Sequence, residues 1–220
     1  MRRQKHSFIK AVFLALLFWI FLCQGAFASQ LEIQLNHLII EPGQEGRLHI
    51  TEQYLIFNDE EAPVEGALAL SLPAGAMDIH FDEEIEEDKI HLHGEEIIFD
   101  QEFPPGETVL VFHYLIDNFG EDHYHFDKIF SQDIPVFFAI IPAGFLEIVS
   151  SDLEDQGITS MGGRQLHIYG GSFEKGDSLS LVIYPGTGSL PLGEATGFGD
   201  RNIAPPLHSK AHIDFWNSSP

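Results

Sequence analysis

An all-β fold, made of two tandem β-sandwich domains behind an export signal and ahead of a disordered tail, is the architecture this sequence predicts. Three observations carry it. Short apolar–polar alternations recur about every 8 to 12 residues with Gly and Pro between them, the pattern of a sandwich or barrel. After residue 28 no segment sustains a helical i, i+3, i+4, i+7 stripe over three turns. Finally, one strand frame occurs twice. Leu72-Pro73-Ala74-Gly75 leads to Phe103-Pro104-Pro105-Gly106-Glu107 and an alternating run ending at Tyr114; Ile141-Pro142-Ala143-Gly144 leads to Phe173-Glu174-Lys175-Gly176-Asp177 and a run ending at Tyr184. The period is near 70.

The chain opens with Met1-Arg2-Arg3-Gln4-Lys5, Lys10 and an apolar run from Ala11 to Leu22, then Ala26-Phe27-Ala28. A basic start, an apolar middle and small residues at the positions a signal peptidase reads predict a signal peptide over 1–28, cleaved after Ala28. The expected location is extracytoplasmic: secreted, periplasmic or on the cell surface. A membrane association is expected only if the leader stays on as an anchor. Four of the 11 basic residues and none of the 34 acidic ones lie in the leader, which leaves 34 acids against 7 bases and a formal charge of −27. Such a chain repels nucleic-acid backbones and anionic lipid, and attracts cations and basic proteins. Cys23, the one cysteine, falls in the leader, so disulfides cannot staple the fold and a buried core must hold it.

Strands follow in order. Leu31 to Ile40 alternates and then turns apolar; Glu41 to Gly46 is a Pro/Gly turn; Arg47 to Phe57 alternates again. Gly66 to Leu72 sets Leu against small residues, and Met77 to Asp82 alternates strictly. The charged run Glu83 to Asp88 reads as a solvated hairpin tip that blunts edge association; it lacks the ligand spacing of a calcium loop. Lys89 to His93, Glu95 to Phe103 and Val109 to Leu115 complete a first domain over 29–117. Residues 117 to 134 look less regular. A second domain over 118–185 contains Val136 to Ile141, Phe145 to Val149, Gln165 to Tyr169 and Leu179 to Tyr184. The Gly- and Pro-rich stretch 186–220, with Trp216 and the sequon Asn217-Ser218-Ser219, reads as a disordered tail.

The sequence of an alternating strand, L-P-x-G, an alternating strand, P-P-G-E and a strand ending in Tyr resembles the immunoglobulin-like or fibronectin-type β-sandwich modules of bacterial cell-envelope proteins. It spans about residues 31 to 185. The resemblance implies an adhesion, spacer or accessory role with another envelope protein as partner, and it carries over no functional residue. The Cys pair and core Trp of antibody domains are missing.

Candidate chemistry is confined to histidine. Residues i and i+2 of a strand share a face, so His91 and His93 lie together, and a hairpin with pairing sum 171 sets His80 opposite His91 and Asp82 opposite Lys89. Three imidazoles on one face make a candidate metal site of His80, His91 and His93 for Zn or Cu. His123-Tyr124-His125, with Asp122 and Asp127, is a second such group. No nucleophile elbow, zincin motif, phosphate loop or dinucleotide fingerprint occurs, and no catalytic residue and no cofactor are assigned. The expected function is therefore that of a non-catalytic, exported interaction or accessory module of the envelope, with extracytoplasmic Cu/Zn binding as the alternative.

The duplication also predicts burial. Pro73, Gly106 and Tyr114 should fall on Pro142, Gly176 and Tyr184. Aligned on the glycines, Val109 and Val111 match Leu179 and Leu181 and are expected to be buried, with His113 at the rim; Phe112 and Tyr114 are then covered where the two domains meet. A bulge that shifts the phase is the other solution, since Leu110, Phe112 and Tyr114 are the larger apolar set.

Overall fold

The computed structural model describes residues 31–43, 46–82, 87–117 and 122–187. The leader 1–28, the tip residues 83–86 and all of the tail beyond residue 187 lie outside them. The described fold is all-β. Its strands are β1 (Leu31–Pro42), β2 (Leu48–Asn58), β3 (Val64–Ser71), β4 (Ala76–Phe81), β5 (Ile90–His93), β6 (Glu96–Phe103), β7 (Gly106–Ile116), β8 (Tyr124–Ile129), β9 (Ile134–Pro142), β10 (Leu146–Val149), β11 (Glu154–Met161), β12 (Arg164–Phe173) and β13 (Ser178–Pro185). They form one seven-stranded sheet in the order β11-β12-β9-β1-β2-β7-β4 and two three-stranded sheets, β3-β6-β5 and β10-β13-β8.

The duplication is written in the pairing. In the first half β7 lies between β2 and β4, and β6 between β3 and β5; in the second, β13 lies between β8 and β10, and β12 between β9 and β11. Registers repeat as well. Val64 opposite Phe103 answers to Ile134 opposite Phe173, both partners displaced by 70 positions. His93 opposite Glu96 answers to Met161 opposite Arg164, both displaced by 68. The expected boundary at residue 117 falls between β7 and β8. The two units are nevertheless not separate sandwiches, because β1 pairs antiparallel with β2 and parallel with β9 and so fuses one sheet of each into the large one. Counterpart strands consequently lie in opposite layers.

Val109 and Val111, expected to be buried, are not the inward set of β7. Leu110, Phe112 and Tyr114 are the buried set of β7, while the valines point to the other face and are only half-buried. In β13 Leu179, Leu181 and Ile183 are fully buried, and Tyr184 is 37% exposed where Tyr114 is enclosed. Gly106 is itself the first residue of β7, whereas Gly176 and Asp177 still belong to the turn before β13. One residue fewer therefore separates the second glycine from its first inward leucine, and a single residue flips every side chain of a strand. Both glycines hold positive φ, 90° and 95°, which a residue with a Cβ adopts poorly.

Aromatic rings join the layers. Phe99 of β6 packs on Phe112 and edge-on to Phe81, and Phe130 stacks on Phe173 and meets Phe137 edge-on. Offset and edge contacts of this kind add about 0.5–1.5 kcal/mol each to the area buried. Ser131 Oγ donates to the Ala69 carbonyl at 2.8 Å, tying the two small sheets to each other.

Candidate functional site

The expected trio of His80, His91 and His93 is not assembled. β4 and β5 do not form a hairpin: β4 pairs with β7 in the large sheet, and β5 pairs with β6 in a small one. The chain crosses between layers after Asp82 instead of reversing. His80 therefore lies opposite His113, while His91 lies opposite Ile98 and His93 opposite Glu96. Asp78, with φ of 50°, sits in a register shift between Met77 and His80 that re-aims the end of β4. Among the described residues no group of three or more His, Cys, Asp or Glu converges closely enough to hold a metal ion.

What the large sheet does gather on its outer face is His49, Thr51, His113 and Asp82. The Thr51 hydroxyl lies 2.8 Å from His113 Nδ1, and His113 Nε2 lies 3.3 Å from Asp82 Oδ1. A carboxylate can only accept, so it is His113 Nε2 that donates to Asp82. The His49 ring stacks on His113 at 5.7 Å. Burial, and then the neighbouring His113, hold the His49 imidazole below its ordinary range.

A second polar chain runs along β11 and β12. Asp155 Oδ1 is 2.7 Å from His167 Nε2, and the Tyr169 hydroxyl is 3.1 Å from His167 Nδ1. The hydrogen bond from His167, and next the backbone N–H of Gly157, keep the Asp155 carboxyl below its usual value. Burial pushes the Tyr169 phenol up, the wrong direction for a nucleophile at neutral pH. Replacing His167 by Ala is expected to return the Asp155 pKa toward the ordinary carboxylate value, read by a carboxyl-carbon NMR titration. A depressed carboxylate pKa contributes stability above the unfolded value that is lost as pH falls through the folded one, so the variant should also be less sensitive to acid.

Sequence reasoning missed the most concentrated polar group. Glu52 of β2 is fully buried and accepts three hydrogen bonds: from the Tyr54 hydroxyl at 2.6 Å, from the Tyr114 hydroxyl at 2.7 Å and from Lys128 Nζ at 2.5 Å. Lys128 also donates to the Tyr54 oxygen at 3.0 Å and lies 5.7 Å from the Tyr54 ring centre and 5.8 Å from that of Phe130. Burial draws the Lys128 pKa down and the Glu52 charge opposes it. Both phenols are pushed well above their ordinary value, by burial first and the Glu52 charge next. Glu52 belongs to the first unit and Lys128 to β8 of the second, so this closed cluster pins the two units together. Enclosed on all sides, it can touch no solute.

No family model matches the chain, and no curated protein matches it. Solved structures with a similar trace include a proposed nutrient-binding protein from Legionella pneumophila, at 12% identity and TM-score 0.40 over 70% of this chain and 67% of that one. An M1 zinc metallopeptidase from Deinococcus radiodurans shows 12% identity and TM-score 0.38 over 70% of this chain and 42% of its own. Legionella pneumophila aminopeptidase A in complex with aspartic acid shows 10% identity and TM-score 0.40 over 74% of this chain and 22% of its own. The chain thus spans less than half the length of either peptidase.

The last polar surface is the outer face of the β3-β6-β5 sheet. Glu65 stands directly opposite Glu102, Ala67 opposite Asp100, and Glu96 opposite both Ser71 and His93. All four carboxylates are exposed, as are His91 and His93, and the three strands contain no Lys or Arg.

Proposed function

We propose that the chain is an exported, non-catalytic module with an immunoglobulin-like sandwich plan, which docks on a basic surface of another envelope protein through the outer face of its β3-β6-β5 sheet. The observation that carries the reading is the Glu65–Glu102 pair, with Glu96 and Asp100 beside it and no cation in these strands. Like charges directly opposite across an antiparallel pair are destabilising, and a basic partner turns that repulsion into attraction. The formal charge of −27 that remains once the leader is removed steers such a partner from a distance. The leader supplies the address.

The test is photo-cross-linking in the producing cells from a probe at Ala67, an exposed position of this face, with a probe at Ile158 on the edge strand β11 as control. One envelope protein should be trapped from position 67 alone. It should vanish in a chain carrying Glu65→Lys, Asp100→Lys and Glu102→Lys. Equal trapping in that variant, trapping from Ile158 only, or retention of the chain in the cytoplasm overturns the reading.

A further inference from the structure

His125 lies in β8, an edge strand of its sheet, and His123 immediately precedes that strand, the two rings lying side by side. Their Nε2 atoms are 3.1 Å apart, their ring centres 4.9 Å apart and their planes at 83°. The two nitrogens lie within hydrogen-bonding distance of each other, and the ring centres, 4.9 Å apart, are also close to the about 4.8 Å expected of two imidazoles aimed at one ion about 2.05 Å from each nitrogen.

We propose that His123 and His125 form a two-imidazole chelate for a divalent first-row transition ion, and that copper(II) is the ion it takes best. With metal–nitrogen bonds of about 2.05 Å, the 3.1 Å separation gives an N–M–N angle of about 98°, nearer the 90° of a tetragonal copper(II) or nickel(II) site than the tetrahedral angle of zinc. Copper(II) also stands highest in the affinity order for nitrogen ligands. The surroundings keep the pair in place. The Tyr184 ring lies 5.6 Å from the His123 ring, and His125 is held by the β8–β13 ladder opposite Val182. Asp127, on the same face as His125, is engaged by the Ser180 hydroxyl at 2.7 Å. Among the described residues only two protein ligands are offered, and His125 is exposed, so water fills the remaining positions and the ion exchanges readily. A partner or a small ligand could complete the site from outside. Docking through the β3-β6-β5 face is neither required nor contradicted by it.

Copper(II) alone, titrated into the full chain in a glycine-containing buffer that masks single-imidazole sites, tests the assignment by calorimetry and electron paramagnetic resonance. One equivalent should bind, with a tetragonal signal split by two nitrogens. His123→Ala and His125→Ala should each weaken binding at least tenfold and remove one nitrogen from the splitting, with an unchanged far-ultraviolet circular dichroism spectrum. The His91→Ala/His93→Ala chain, which loses the other i, i+2 pair, should titrate like wild type. Wild-type affinity in either the His123 or the His125 variant overturns the site, and so does loss of binding in the His91/His93 variant alone.

Discussion

Lys128→Met is expected to lower the stability of the fold by about 3–5 kcal/mol, the usual cost of removing one partner from a buried ion pair. The reason lies in what is left behind. Glu52 has no exposed surface, and without Lys128 its charge is balanced only by the two phenol hydroxyls that donate to it. Glu52→Gln should also be costly, because it strands the ammonium. The double variant Glu52→Gln/Lys128→Met removes both charges and keeps one carbonyl acceptor for one of the two phenols while the Gln amide NH2 donates to the other phenol oxygen, so its loss should be well below the sum of the single losses. Urea midpoints at unchanged m-value would measure this. A Lys128→Met chain within about 1 kcal/mol of wild type would show that the pair does not hold the units together.

Alkali gives the second large effect. Tyr54 and Tyr114 are enclosed, and their pKa values are raised well above the ordinary phenol value. In the unfolded chain they ionise near pH 10, so above that pH the unfolded state binds fewer protons than the folded one, and stability falls by about 1.4 kcal/mol per pH unit for each phenol, about 2.7 for both. Below pH 10 their contribution is fully present. Lys128 acts with the opposite sign. Its folded pKa is lowered, so the unfolded state binds more protons and stability rises with pH until the unfolded lysine titrates near about 10.4. Tyr124 and Tyr169 are shifted in the same direction as the buried phenols and reinforce the fall. Denaturant midpoints from pH 9 to 11.5 should therefore hold or rise and then drop steeply. Tyr114→Phe should shallow the drop, and a flat profile in the wild type would contradict the burial of these hydroxyls.

Alternation in the sequence made most strands readable, and the repeated Pro and Gly punctuation made the duplication readable. Strand β8 escaped because its inward phase places Lys128 among Tyr124 and Phe126 while Ile129 faces outward at 63% exposure. A buried charge and an exposed isoleucine invert the pattern that marks a strand. The cluster of Glu52, Tyr54, Tyr114 and Lys128 escaped with it, since its members come from three strands and meet only once the large sheet is fused. Strand β11 is a sheet edge, mostly polar along its length, and offers little alternation to read. The histidine trio failed for a different reason. Spacing fixes which residues of a strand share a face, but not which layer of a sandwich the next strand joins.

Strand β1 carries a consequence for how the protein is made. Among the described strands it is the first to be synthesised, and it ends in the middle of the largest sheet, with His37 beside Phe138, 101 positions later. One side of β1 can close early as a hairpin with β2, but its other side stays open until β9 has followed. Contacts so distant in sequence slow folding, and an unfilled strand edge next to a nascent hydrophobic layer accepts an equivalent strand from any chain that offers one. The β9 of a neighbouring copy is the natural intruder, so crowded refolding should yield dimers that have exchanged their second units.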